Sequence, residues 1–402
     1  MNSKCVITAF VASLSLLACV PLGHRRPAAV NASVVREART HYLRFTSEGN
    51  DAAIALYREA LAQAPTVEAY AGLAEALAQD FYNNRQNRQG LEESLRLSAE
   101  AIRLDEKSVQ AHFARAFALG LAGKPREAAP EYLRTLALDA DYPRAATLAL
   151  GQLWRAGMFD EAFRWAARQL EKEPTSLDVL FHYSVASAFL LDVERAESLM
   201  RRALEINPTF GTAYGELAFL AQAKGLHKEA VEHMQAATRV DPNDQNFGGL
   251  AQMLIPAGNP GQSKEILQRI VQKNRTARAY GGRSVLTIYG WALWELSERT
   301  EANRIFDEIL VQLISREAAG ETSYQLYREI AAIHAVRGNR RAAIEAATKA
   351  TENGWRLYGA REIADPMFRS LAGDSDFERL LARMRADVDR MRRRIGLQRN
   401  WK

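Results

Sequence analysis

Alanines and prolines recur along this chain of 402 residues at a spacing of 34. The recurring alanines are Ala128, Ala162, Ala196 and Ala230, and the recurring prolines are Pro174, Pro208 and Pro242. Between these positions the apolar residues return every three or four places, which predicts pairs of amphipathic helices. A glycine precedes three of the alanines by five residues, as at Gly123, and it predicts a turn with positive φ.

The most complete repeat, residues 209–242, indicates how each unit folds. Tyr214, Leu217 and Ala218 lie on one face of its first helix, helix A. Ala230 marks the place where the second helix, helix B, comes closest to helix A, and Pro242 ends helix B. This pattern resembles the tetratricopeptide repeat (TPR), a helix–turn–helix unit of 34 residues. The resemblance implies an all-α fold: a right-handed superhelical solenoid of about nine units with a C-terminal capping helix, serving as a binding surface.

The N-terminus carries a second pattern. Lys4 precedes the apolar run at 6–17, and the run ends in Leu16-Leu17-Ala18-Cys19. A basic start and a short apolar run are typical of a signal peptide. The last four residues resemble the lipobox of bacterial lipoproteins, which implies lipidation of Cys19 and attachment to the periplasmic side of the cell envelope. Val20 follows in place of Asp, so the outer membrane is the expected destination. A plain secretory signal with a chance cysteine is the alternative.

These patterns divide the chain into segments. They are a signal peptide at 1–18, a lipid-anchored tether at 19–35, TPR units 1–7 at 36–274, a hinge or insertion at 275–283, units 8 and 9 at 284–356, and capping helices with a basic tail at 357–402. The spacing also lengthens near 81–90 and 315–321, where loop insertions are expected. In the seventh unit, Ser263 or Lys264 replaces the alanine of helix B. Ordinary loop variation remains an alternative reading of every insertion.

Aromatic residues occupy the helix A positions that face the concave side of TPR units. They are Phe113, Phe117, Trp154, Phe181, Phe219, Trp291 and Trp294. The TPR resemblance implies that they form an apolar groove that binds a protein or peptide segment. Packing between neighbouring A helices is the alternative for about half of them.

Charge is concentrated at the C-terminus. The whole chain has a net charge of +5, while residues 379–402 alone carry +7. The basic side chains proposed as a site are Arg390, Arg392, Arg393 and Arg394. One interpretation is a capping helix that begins with a capping box at Ser375 and Glu378 and carries arginines on its solvent-exposed face. The other is a surface for an acidic protein, an anionic lipid or a polyanion.

Catalytic and metal-binding motifs do not stand out. The histidines lack metal-ligand spacing, and Gly123-Lys124 is followed by Pro125 rather than the Ser or Thr of a phosphate-binding loop. With no cofactor, metal or nucleic acid indicated, an enzyme is the least favoured class. The composition, 48% hydrophobic and 25% charged, is that of a folded chain.

The end of the chain supports a narrower resemblance. Residues 365–371 (DPMFRSL) and 376–381 (DFERLL) resemble the closing segments of TPR arrays behind class III adenylate cyclases and winged-helix regulators. Asp365 is expected to cap a short helix that begins with Pro366. Two functions therefore stay open: an envelope scaffold that binds another protein, and a detached regulatory TPR module.

Overall fold

The computed structural model describes residues 27–83, 87–142, 144–359 and 365–397. The signal peptide and Cys19 lie outside the described residues. Within them the chain is all-α and forms no strand, only one isolated antiparallel bridge between Arg278 and Ser284. The helices are α1 Pro27–Tyr42, α2 Ser47–Gln63, α3 Val67–Asn83, α4 Arg88–Leu104, α5 Val109–Leu121, α6 Pro125–Leu138, α7 Ala145–Arg155, α8 Phe159–Lys172, α9 Leu177–Phe189, α10 Val193–Ile206, α11 Gly211–Ala223, α12 His227–Val240, α13 Asp244–Leu254, α14 Pro260–Lys273, α15 Val285–Glu295, α16 Arg299–Ala318, α17 Tyr324–Val336, α18 Arg340–Glu352, a 3₁₀ helix Pro366–Leu371, and α19 Ser375–Arg394.

Helices α1 to α18 form nine consecutive antiparallel pairs, which confirms the prediction of an all-α TPR superhelix. The odd-numbered helix of each pair is helix A, and the even-numbered helix is helix B. One small residue of each helix B contacts helix A and is at most 1% exposed. These residues are Ala53, Ser94, Ala128, Ala162, Ala196, Ala230, Ser263, Ala302 and Ala343.

Two of these small positions are serines, and each satisfies its hydroxyl locally. Ser94 Oγ donates to the carbonyl of Ala74 at 2.6 Å, and Ser263 Oγ donates to the carbonyl of Ala251 at 2.8 Å. A buried hydroxyl is tolerated only where it has such a partner. Ser263 rather than Lys264 therefore takes the alanine position in the seventh unit.

Eight of the nine turns between helix A and helix B share one backbone conformation at a described residue. In these units the residue just before the N-cap of helix B has a positive φ, for example 73° at Gly123, 78° at Gly157 and 76° at Gly225. These three glycines stand where the sequence predicts positive φ, which is confirmed. The left-handed conformation is least costly for glycine because glycine has no Cβ.

The extra residues lengthen helices more than loops. Helices α3 and α4 have 17 residues each, where α5 and α6 have 13 and 14. Helix α16 has 20 residues and extends through most of the insertion expected at 315–321. At the N-terminus, α1 begins at Pro27. The prediction of a flexible tether at 19–35 is therefore wrong for residues 27–35, which are helical.

The 275–283 segment is packed against the array, which fits the insertion expected there, while the alternative of a hinge stays a prediction. Its backbone is held by hydrogen bonds from Ala279 N to Arg283 O at 2.8 Å and from Tyr280 N to Gln245 O at 2.9 Å. The Tyr280 side chain is 7% exposed and donates to Thr212 O at 2.9 Å. A segment with this much burial and hydrogen bonding is anchored in the core.

The C-terminal units fold back onto the A–B turns of units 3 to 6. Thr322 N donates to Gly123 O at 3.2 Å, and Gly359 N donates to Ala188 O at 3.1 Å. Between them, a Cβ added to Gly157 would lie 2.6 Å from Gly354 Cα, so two backbones meet where no side chain fits. Successive turns of the superhelix are thus in direct contact, and residues about two hundred positions apart share one hydrophobic core.

The last elements cap the array, as the sequence predicts. Asp365 Oδ1 accepts a hydrogen bond from Met367 N at 3.2 Å and caps the 3₁₀ helix, while Phe368 stacks on Phe377 of α19 at 5.8 Å. The cap of α19 is one residue earlier than predicted: Asp374, not Ser375, accepts from Asp376 N at 2.9 Å. A carboxylate is an equally good N-cap.

Candidate functional site

Three of the predicted groove aromatics are part of the core. Phe113 is 0% exposed, Phe117 is 3% exposed and Trp291 is 3% exposed. Phe113 packs against Tyr132 and Tyr142 at centroid distances of 6.0 and 5.0 Å. Their assignment to a partner-binding surface does not fit this structure, because their own neighbours cover them. The alternative of packing between helices holds for these three.

The other four aromatics are half-buried on the concave face and remain candidates. Trp154 lies 5.4 Å from the Arg155 guanidinium, and Trp294 lies 3.8 Å from that of Arg299. Phe181 contacts His182, and Phe219 contacts Tyr280 of the 275–283 segment. Arginine over an aromatic face is a favourable contact that helps to fix the orientation of Trp154 and Trp294.

The C-terminal units pack against helix A of unit 5. Tyr324 of α17 lies 6.4 Å from Phe189 of α9, edge to face. Nearby, burial and the Arg155 guanidinium lower the pKa of His182 to about 4, so this imidazole is neutral at physiological pH. Unit 9 therefore covers part of helix A of unit 5, while Arg155 is exposed and Trp154 and Phe181 keep part of their surface accessible.

A buried charge cluster lies at the start of units 8 and 9. Arg283, 3% exposed, forms an ion pair with Asp365. Burial alone would raise the pKa of Asp365, but the Arg283 and Arg328 guanidinium groups hold it below its ordinary value. Glu329 accepts from Ser284 N at 2.8 Å and from Thr287 Oγ1 at 2.7 Å. The cluster joins the 3₁₀ helix to the array.

One buried carboxyl connects the array to its C-terminal segment. Glu216 on α11 is 4% exposed, and Tyr358 Oη donates to its Oε1 at 2.6 Å. Burial raises the pKa of Glu216 to about 7, while the hydrogen bond from Tyr358 opposes that rise. The ionisation state of this group therefore changes near physiological pH.

A polar network crosses the concave face of units 1 to 4. Arg39 Nη1 donates to Glu75 at 2.5 Å, and its Nη2 donates to Tyr142 Oη at 3.1 Å. Gln110 Nε2 donates to the same Glu75 carboxylate at 3.0 Å. Hydrogen bonds from three helices fix these side chains, so this part of the concave face is rigid and polar.

The basic tail serves mainly as a cap. Arg392 is 8% exposed and donates to the carbonyl of Leu190, and Arg394 lies 3.3 Å from Asp160. Arg390 forms an ion pair with Asp387 of its own helix. Arg393 is exposed. Because Arg392 and Arg394 hold α19 on units 4 and 5, the capping interpretation fits them best, and a ligand role for the exposed arginine stays a prediction.

The described residues offer neither a metal-binding cluster nor a membrane-spanning helix. Across the described ranges, no group of three or more His, Cys, Asp and Glu side chains is arranged to hold a metal ion. In the same part of the chain, none of the helices combines the length and the apolar character that crossing a bilayer requires.

Comparison with known proteins agrees with this architecture. A family model described as Tetratricopeptide repeat matches residues 211–244, which span the sixth unit. The match covers one of the nine helix pairs. Together with those pairs it supports an all-α tetratricopeptide repeat superhelix, an arrangement whose stacked units generally present binding surfaces. Comparison with curated proteins gives no match.

Several solved structures are similar in part. A tetratricopeptide repeat protein from Parabacteroides merdae is 14% identical, covers 66% of this chain and 100% of its own, and has a TM-score of 0.42. PilW, a type IV pilus biogenesis factor, is 17% identical, with coverage of 50% and 92% and a TM-score of 0.41. PilF of Pseudomonas aeruginosa is 15% identical, with coverage of 52% and 95% and a TM-score of 0.39. Likenesses of this size say nothing about what the chain binds.

Sequence reasoning missed the groups that come together only through closure. The pairs Glu216–Tyr358 and Arg283–Asp365 join the array to the C-terminal segment and show no local spacing; of these residues only Asp365 was expected to act, as a helix cap. The sequence offered one signal for Glu216. It is a glutamate at a position of helix A that is otherwise apolar, and a carboxyl at such a position must be buried.

Proposed function

We propose that this protein is a non-enzymatic protein–protein interaction scaffold of the bacterial cell envelope. A segment of a partner protein binds on the concave face of the array, with half-buried aromatics such as Trp154 and Phe181 as anchors. The observation that carries this proposal is the array itself: nine stacked units hold their helix A side chains in fixed positions over a long surface.

The envelope location is supported by the sequence of the N-terminus. The lipobox-like residues end in Cys19. The chain has two cysteines, and the other one, Cys5, lies within the signal peptide. Acylation of Cys19 supplies the two or more acyl chains that hold a protein stably on a membrane. The array then works at the periplasmic face of that membrane, with the outer membrane the proposed destination.

The anchor is tested by metabolic labelling with palmitate. Cys19→Ala is expected to remove all label, while Cys5→Ala leaves it unchanged because that residue lies inside the cleaved signal. Equal labelling of both variants would contradict the lipoprotein proposal.

The binding surface is tested by capture from solubilised envelope with the Cys19-lacking protein as bait. Partners captured by the wild type are expected to be lost from Trp154→Ala. The matched control is Trp165→Ala, which removes a half-buried tryptophan of the same unit from α8, 5.7 Å from the Arg168 guanidinium. Equal loss with both variants would indicate a structural effect and contradict concave-face binding.

A detached regulatory module is the second candidate. The observation that favours it is the closing segment, where Asp365 caps the 3₁₀ helix as expected and Phe368 stacks on Phe377 of α19. Genes for signalling proteins beside this one, together with captured signalling partners, would favour this candidate over the scaffold.

A further inference from the structure

Arg328 on α17 is a half-buried cation without a counter-charge of its own. Its Nε is buried and has no hydrogen-bond partner, and among the described residues its guanidinium forms no ion pair. Burial and the neighbouring Arg283 guanidinium lower the pKa of Arg328, yet an arginine side chain stays charged in a protein. Because a charge taken out of water is costly unless an opposite charge is near, an anion is expected beside this group.

Arg283 supplies a second guanidinium at the same place. It is 3% exposed, and its Nη2 donates to Asp365 Oδ2. Its Nε, like that of Arg328, is buried without a hydrogen-bond partner. Both guanidinium groups act on the same carboxylate, since each lowers the pKa of Asp365. One carboxylate thus serves two arginines, and each arginine keeps a buried nitrogen that nothing in the described chain satisfies.

The charges around these two arginines do not cancel the surplus. Glu329 is 3% exposed and lies 3.8 Å from Arg278, and Glu321 accepts from Arg316 at 2.7 and 2.8 Å. The described charges of the cluster are four arginines, Arg278, Arg283, Arg316 and Arg328, and three carboxylates, Asp365, Glu321 and Glu329. Four positive and three negative charges leave one positive charge over. The cluster is complete only with one further negative charge.

The geometry favours a ligand with a single carboxylate group. A guanidinium binds a carboxylate through two parallel N–H···O hydrogen bonds. Arg328 is half-buried, so a small solute can reach it from solvent. Asp365 lies close enough to act on Arg328, and its own charge repels a second negative charge on the ligand. A monoanion therefore neutralises the cluster, whereas a dianion such as hydrogen phosphate overfills it.

We propose that Arg328 and Arg283 form a binding site for a small organic carboxylate, at the place where α17, the 275–283 segment and the 3₁₀ helix meet. The ligand's carboxylate accepts hydrogen bonds from Arg328 and balances the charge that Asp365 leaves over. This inference goes beyond the scaffold function and does not depend on it, because the site uses none of the aromatic anchors proposed for a partner protein.

The probe is sodium acetate, compared with sodium chloride at equal ionic strength in thermal unfolding of the full chain near pH 8. A ligand that binds only the folded state raises the melting temperature. With a dissociation constant of about 5 mM, acetate at about 50 mM is expected to raise it by roughly 2 °C over chloride. Phosphate, mostly a dianion at this pH, is expected to give a smaller rise at the same ionic strength.

Variants locate the effect and test its sign. Arg328→Gln is expected to lose the difference between acetate and chloride, and to melt in chloride no lower than the wild type, because it removes an unpaired charge. The matched control, Arg393→Gln, removes an exposed guanidinium of α19 and is expected to keep the difference. Asp365→Asn leaves two positive charges over, so phosphate is expected to stabilise this variant at least as much as acetate does.

Three results would overturn the site. They are no advantage of acetate over chloride in the wild type, an equal advantage in Arg328→Gln, and a larger effect of phosphate than of acetate in the wild type. A fourth variant addresses the chain's own carboxylate at Glu362, which lies outside the described residues. An acetate effect that appears only in Glu362→Gln would show that the chain itself fills the site, and it would overturn the proposal of a separate ligand.

Discussion

Replacing Glu216 with glutamine is expected to change how the stability of this protein depends on pH. Glu216 lies on α11, is 4% exposed, and accepts the Tyr358 hydroxyl at 2.6 Å. Burial raises its pKa from 4.5 to about 7. Its protonated form is thus favoured in the folded protein compared with the unfolded chain, where the carboxyl keeps its ordinary pKa.

The sign and size of the effect follow from this difference. A carboxyl whose pKa is raised on folding contributes its full stability below pH 4.5, and the contribution is lost as the pH rises through about 7. A shift from 4.5 to about 7 corresponds to about 3 kcal/mol of unfolding free energy. Glutamine keeps an acceptor for Tyr358 and has no proton to lose, so Glu216→Gln removes this dependence.

Urea unfolding followed by circular dichroism gives the free energy of unfolding at several pH values. The quantity to compare is the difference between wild type and Glu216→Gln near pH 5 and near pH 8, because other titrating groups cancel in it. The variant is expected to gain about 3 kcal/mol relative to the wild type over that interval. A difference that stays constant with pH would refute a buried carboxyl with a raised pKa.

Three further changes test other parts of the fold. Ala230→Leu is expected to lower the unfolding free energy by roughly 1–3 kcal/mol, because the residue lies between helices A and B and is 1% exposed; urea unfolding with an unchanged midpoint would contradict this packing. Ser297→Gly is expected to raise it by about 1 kcal/mol, because a serine with φ 63° is relieved of left-handed strain; a lower melting temperature would count against this. Asp365→Asn is expected to cost on the order of 3 kcal/mol, because it leaves the buried Arg283 without its counter-charge; thermal unfolding like that of the wild type would show that the pair is not buried.

The local architecture could be predicted because it repeats. Ala128 and Ala162 occupy equivalent positions, and the same contact between helix A and helix B occurs in each repeat. The period alone therefore predicts the helix pairs and their register. The turn glycines follow for the same reason, since every unit must reverse direction at one place. These features depend on neighbours within about one repeat of each other.

The closure could not be predicted because its contacts join distant units without any local pattern. Gly157 and Gly354 both resemble ordinary turn glycines in sequence, yet they meet backbone to backbone. The groove prediction was wrong for Phe113 and Phe117 because it assumed an open concave face. Tyr142 covers the first of these rings and Arg144 the second. Both residues belong to the connection between units 3 and 4, so the neighbouring unit covers these rings. A periodic pattern shows which residues face the axis of a superhelix and not whether a neighbouring connection covers them.

The most direct test of this account is a cysteine cross-link across the closure. A Cβ added to Gly123 would lie 3.3 Å from Glu321 Cβ, close to the separation of about 3.8 Å typical of a disulfide. In a chain with Cys5 and Cys19 replaced by serine, the pair Gly123→Cys and Glu321→Cys is expected to form a disulfide on mild oxidation, visible as a mobility shift in non-reducing electrophoresis. The control pair, Gly225→Cys with Glu321→Cys, places the first cysteine at the equivalent turn of unit 6, where φ is 76°. A cross-link in the first pair alone supports the closed superhelix. Equal cross-linking of both pairs, or none in either, would contradict it.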